Sequence, residues 1–154
     1  MKIIYSDAHK GHGGALEMRG EGFVPMAECP ERMEVILAAL AAAGFRDVQA
    51  PEPHGLAEAA RIHDRDFLTF LETAYPLWEK RHGASRAVFA RTFGMRGMAQ
   101  KPQMDNIDAM LSAYTFDIFS PFVPGTWEAI RSALDVTLTA AGMVQAGTRA
   151  AFAL

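Results

Sequence analysis

The apolar positions follow two rhythms, one of strands and one of helices. Lys2-Ile3-Ile4-Tyr5-Ser6 is a β-branched run stopped by Asp7, the pattern of a buried first strand. A glycine-rich stretch from Lys10 to Gly22 then reads as a loop, followed by Pro25 and Pro30. From Pro30 the period turns helical: Met33, Ile36, Leu37 and Leu40 fall on one face, and alanines carry the helix to Gly44. Proline at the first turn and glycine past the last fit the asymmetry of helix ends. Asp47 to Ala50 predicts a short second strand, closed by Pro51 and Pro53. A strand, helix and strand in this order lead naturally to a parallel sheet.

A second helix is expected from about Asp64, with Phe67, Phe70, Leu71, Ala74, Tyr75 and Trp78 on one face and a kink at Pro76. Asp105 is placed to cap a third helix carrying Ile107, Met110, Leu111 and Tyr114 on one side. A longer helix from about Thr126 to Ala146 should bury Trp127, Ile130, Leu134, Leu138 and Ala141, and stop at Gly147. The closing stretch, about 150–154, reads as another buried strand. A strand apolar at consecutive positions is normally covered on both faces, yet chain termini usually lie at the surface. Residues 1–154 are therefore expected to form a single incomplete α/β domain. The alternative is that Phe152 and Leu154 belong to an edge strand of a small three-stranded protein.

Composition narrows the function classes. Half of the 154 residues are apolar and 21% are charged, ordinary for a soluble globular domain. No apolar run approaches the roughly 18 residues of a membrane span. The single cysteine, Cys29, excludes an internal disulfide and a cysteine-built zinc knuckle, which makes a reducing cytoplasm the expected location. A net charge of −3 gives no overall reason to expect nucleic acid or a membrane as partner. The distribution is uneven, however. Lys80, Arg81, Arg86, Arg91, Arg96 and Lys101 occur with no acidic residue among them, and all but Lys80 fall within a predicted basic loop at about 81–104.

Chemical motifs are sparse. There is no phosphate-binding glycine motif, nucleophile elbow or H-E-x-x-H helix, and Gly11, Gly13 and Gly14 have the wrong spacing. Asp7-Ala8-His9 is a D-x-H triplet at the end of the first strand, but a metal needs a third protein ligand and none stands in ligand spacing. It reads as Asp7 ending the strand and His9 solvated. His63-Asp64 reads as either a catalytic dyad or a helix cap with His63 in a polar pocket beneath it. Asp108 lies opposite Met110-Leu111. Arg32 opposes the dipole of its helix and should have a carboxylate, carbonyl or ligand nearby.

Taken together, Lys2 to Lys10, Val24-Pro25 and Pro30-Glu31-Arg32 resemble the start of the bacterial acetylpolyamine amidohydrolases, zinc-dependent members of the histone deacetylase superfamily. Ala50-Pro51, His54-Gly55-Leu56, His63-Asp64 with Phe67 to Ala74, Pro124 to Ala129 and Ala150 to Leu154 continue the likeness over essentially the whole chain.

The resemblance implies an arginase/deacetylase-type α/β fold, a parallel sheet with helices on both faces. It also implies a zinc ion held by two aspartates and a histidine, with a histidine pair and a tyrosine for catalysis. In the family these follow a strand like Ala150–Leu154, so this chain is expected to hold no catalytic residue and no metal ligand, and to bind no zinc alone. What it carries by resemblance is Arg32 in an internal channel, and Asp108 and Glu17 at the rim that receives the amine end of a small acetylated substrate. The Lys10–Gly22 loop and the Arg81–Met104 insert would meet across a homodimer. Arg19 stands where some polyamine-specific members carry an aromatic residue, and Phe119 where a second rim carboxylate is expected. The expected function is the N-terminal portion of an N-acetyl amide hydrolase acting on polyamines or acetyl-lysine-like amines. The alternatives are a truncated, non-catalytic dimerisation or binding module, or one half of a split enzyme.

Overall fold

The structure is a computed structural model that describes residues 1–14, 16–20, 22–85, 87–94 and 105–154. Three strands, β1 (Lys2–Ile4), β4 (Val48–Gln49) and β5 (Ala151–Ala153), form a wholly parallel sheet in the order β4-β1-β5. Ile3 pairs with both Val48 and Phe152, so β1 is central, and Ile3 and Ile4 are fully buried. β5 is an edge strand, and Phe152 is 37% exposed rather than covered on both faces.

The sheet is joined by two crossovers that run in opposite directions, from β1 to β4 and from β4 back across β1 to β5. The first passes through α1 (Glu31–Ala42) to β4; the second passes through α2 (Arg65–His82), α3 (Ile107–Tyr114) and α4 (Thr126–Gln145) to β5. Right-handed connections of opposite direction put their helices on opposite faces. α4 packs on β1 and β5, where Ile4, Val136 and Ala140 form a small core. α1 buries no residue: Met33, Ile36, Leu37 and Leu40 are only half-buried.

The larger core lies away from the sheet. Phe70, Ala74, Tyr75 and Trp78 of α2 pack with Ile107, Met110 and Leu111 of α3 and with Val88, Ala90 and Phe122. Phe70 stacks on Tyr114 with ring centroids 4.8 Å apart and meets Phe122 edge-on at 5.2 Å. The sequence period identified this face because each residue lies three or four positions from the next.

Several details depart from the sequence reading. The stretch from Lys10 to Gly22 is not a plain loop. A 3-10 turn, Asp7–His12, is followed by an antiparallel hairpin of β2 (Leu16–Arg19) and β3 (Gly22–Pro25). Its turn contains Gly20 at φ +57°, a conformation glycine adopts without strain. α2 runs unbroken through Pro76 on its exposed side and extends to His82, so the first residues of the basic stretch are helical. Asn106, not Asp105, caps α3 by accepting from the backbone N–H groups of Asp108 and Ala109.

The buried face of α4 is also displaced. Thr126, Val136, Thr139 and Ala140 are buried, Trp127, Ile130, Leu134 and Leu138 are half-covered, and Ala141 is exposed. Polar contacts decide this. Thr139 Oγ1 accepts from Glu52 N at 2.9 Å, Asp135 Oδ1 accepts from His54 N at 2.8 Å, and Arg131 Nη2 donates to His54 O at 2.6 Å. The loop after β4 is thus bound to α4 by hydrogen bonds that no apolar period reveals.

Candidate functional site

In open parallel sheets, ligands bind beyond the carboxyl ends of the strands, where the strand order reverses. Here that place lies between the carboxyl ends of β1 and β5. A recess of about 200 Å³ is lined there by Ser6, His9, Met33, Ala133, Ala153 and Leu154. His9, Met33 and Ala133 also line a larger, mainly apolar cavity of about 440 Å³, bounded by His12, Glu28, Cys29 and Arg32.

The wall of this cavity is fixed by the docking of the 3-10 turn on the start of α4. Gly11 and Gly125 meet backbone to backbone: a Cβ on Gly125 would stand 2.4 Å from Gly11 O. Next to that contact, His12 Nδ1 is 2.9 Å from Thr126 Oγ1, which also accepts from Val123 N at 2.8 Å. Burial pushes the His12 imidazole below its ordinary 6.5, so it favours the neutral form.

His9 is not solvated as expected from its sequence context. Its Nδ1 lies 2.8 Å from Ser6 O, and because a carbonyl only accepts, Nδ1 must carry the proton. Its Nε2 is buried without a hydrogen-bond partner among the described residues. The D-x-H triplet at the end of the first strand was the available signal; what it lacked was the contact with α4, far away in sequence. Asp7, by contrast, is exposed and holds Lys10 Nζ at 2.7 Å and the Tyr5 hydroxyl at 2.7 Å.

Arg32 lines the cavity and forms an ion pair with Glu28, the carboxylate its position at the start of a helix called for. Glu17 and Asp108 do not line it. Glu17 sits on β2 and accepts from Arg19 Nε. Asp108, in the first turn of α3, accepts on Oδ2 from both Arg81 Nε and His82 Nε2, each at 3.0 Å. Of the basic stretch, Arg81 is therefore opposed, and Arg91 lies 5.3 Å from the centre of the Trp78 ring. Arg86, Arg96 and Lys101 lie outside the described residues. Phe23 of the hairpin approaches Phe89 at 6.0 Å between ring centroids, so the two glycine-containing segments meet within one chain.

His63 is exposed beside Phe67 rather than seated in a polar pocket, and Asp64 stands at the N-cap of α2 without a side-chain capping bond. Among the described residues, no three His, Cys, Asp or Glu side chains are grouped so as to hold a metal ion. The arrangement can enclose a small, largely apolar group and offer it an imidazole and a guanidinium at the edge.

No protein-family model matches the chain. It is 38% identical to the acetylpolyamine amidohydrolase of Mycoplana ramosa over 154 residues, all of this chain and 45% of that protein. It is 36% identical to acetylpolyamine amidohydrolase 2 of Pseudomonas aeruginosa, again over the whole chain and 44% of the relative. The crystal structure of acetylpolyamine aminohydrolase from Burkholderia pseudomallei superposes with a TM-score of 0.84 at 25% identity, covering 99% of this chain and 44% of that one. The chain thus spans less than half the length of these relatives. Over its whole length the chain is similar, in sequence and in fold, to acetylpolyamine amidohydrolases, and it corresponds to under half of their length.

Proposed function

We propose that this chain is the N-terminal portion of a zinc-dependent deacetylase that hydrolyses N-acetyl amides of polyamines or acetyl-lysine-like amines, and that it has no hydrolytic activity by itself. The observation that carries this reading is the match along the entire chain, in sequence and in fold, to enzymes named for acetylpolyamines. In the complete protein, zinc would polarise the acyl carbonyl and activate water. This chain contributes the first strands, the helices that cover them and part of the pocket wall.

Within that role, Arg32 serves the cavity beside His9 as the channel for a small acyl product. Asp108 and Glu17 serve the rim that receives the amine end of the substrate. The full enzyme acts in the cytoplasm as a homodimer. No helix of the described residues is long and apolar enough to cross a membrane.

Purified alone, the 154-residue chain should bind no stoichiometric zinc and release no acetate from an N-acetylated diamine, whereas the longer protein should do both. Tight zinc with turnover by the chain alone would overturn the reading. The exposed edge of β5 favours a second one, a non-catalytic module whose edge is covered by another copy. Light scattering separates the two, since a stable, monodisperse homodimer of the chain alone supports the module.

A further inference from the structure

Resting on the amidohydrolase reading above, we propose that Arg81, seconded by His82, is a specificity-determining residue that turns the amine rim away from polycations. Both carboxylates assigned to that rim are already engaged by a basic side chain. Glu17 is held by Arg19, and its side chain is only 12% exposed. Asp108 receives Arg81 Nε and His82 Nε2 on the same oxygen, Oδ2, each at 3.0 Å.

A carboxylate only accepts, so the His82 tautomer in this contact carries its proton on Nε2. His82 is held there by its ring contact with Trp78, 4.4 Å between centroids, while Arg91 lies over the same indole. Asp108 is therefore already engaged by a guanidinium and an imidazole on one carboxylate oxygen. A distal ammonium that approaches Asp108 must displace Arg81 or share the carboxylate with it. A neutral or short amine tail meets no such competition. The ion pair is half-exposed, so it sets a preference rather than a barrier.

The test uses the full-length protein that contains this chain. It compares kcat/KM for an N-acetylated diamine, with its distal ammonium, and for an N-acetylated amine of equal length with an uncharged end. Arg81→Ala should raise the charged-to-uncharged ratio about two- to fivefold, with the change in KM because the distal end is remote from the reacting carbonyl. Arg81→Lys should keep the wild-type ratio. Adding Asp108→Asn to Arg81→Ala should remove the gain, and raised salt should shrink it. An unchanged ratio in Arg81→Ala, or a gain that persists without the Asp108 carboxylate, overturns the proposal while leaving the amidohydrolase reading intact. Failure of the wild type to turn over either amide overturns both.

Discussion

The helical layer formed by α2 and α3 and the sheet with its flanking α1 and α4 are built on opposite principles. Among the described residues, the first encloses ten mutually packed buried side chains, with aromatic rings at its centre. The second has a cluster of three, Ile4, Val136 and Ala140, and leaves Val48 46% and Phe152 37% exposed. An apolar interior holds the helical layer together, with Val88, Ala90 and Phe122 from the adjoining segments completing it. The sheet layer relies on backbone pairing, on hydrogen bonds from α4 to the loop after β4, and on close backbone contact at the 3-10 turn. The cavity with His9 and Arg32 lies in this second, thinly packed layer.

The contrast can be broken most directly with two phenylalanines. Phe70 is fully buried at the centre of the helical core, so Phe70→Ala should cost about 3–5 kcal/mol. Phe152→Ala, at the exposed edge of the sheet, should cost less than about 1 kcal/mol. Urea denaturation followed by tryptophan fluorescence measures both, with Trp78 reporting on the helical core. Equal losses would show that the sheet is as self-sufficient as the helices.

Sequence reading served these layers unequally. The faces of α2 and α3 were legible because large apolar residues recur at helical spacing with polar residues between them. β1 was legible because two isoleucines stand in a short run cut off by Asp7. In α4, apolar and small residues occur on several sides, and the choice of face falls to Thr139 and Asp135 through bonds to Glu52 and His54, more than eighty positions away. The candidate site suffered for the same reason. Arg32 was flagged by its conflict with the helix dipole, a local signal. The burial of His9 depends on a helix far along the chain, and the glycines of the hairpin mask its strand pattern. Asp108 and Glu17 could be assigned only by resemblance, and the basic side chains that engage them became visible only in three dimensions.

A middle-sized effect sharpens the view of the sheet layer. Gly125→Ala would place a methyl group 2.4 Å from Gly11 O, and since both atoms at fault are held by backbone, neither can swing aside. We expect a loss of about 1–3 kcal/mol, in the range of overpacked interiors. The loss should be local, freeing the 3-10 turn from α4 and speeding proteolysis between Asp7 and His12 while the α2 and α3 core stays protected. Uniform loss of protection would mean that the two layers unfold as one.

The smallest effect is electrostatic and also belongs to the sheet layer. His12 is pushed below its ordinary 6.5 by burial against the start of α4. Above pH 6.5 both folded and unfolded chains hold it neutral, and its contribution is fully present. As pH falls below 6.5, the unfolded chain takes up a proton that the folded one resists, so stability declines until the folded value is passed. The carboxylates of Asp7, beside the Lys10 ammonium, Glu31, on its own backbone N–H, and Asp47, beside the Gln49 amide, are all held below their ordinary 3.8, 4.5 and 3.8. Their losses come at lower pH and leave the His12 window clear. Replacing His12 by Gln keeps a polar partner for Thr126 and removes the proton uptake. The variant's denaturation midpoint should therefore stay level from pH 6.5 down to about 5, where the wild type declines. A decline equal in both proteins would mean that the 3-10 turn opens to solvent before the chain unfolds, and that the docking of Gly11 on Gly125 is looser than its geometry implies.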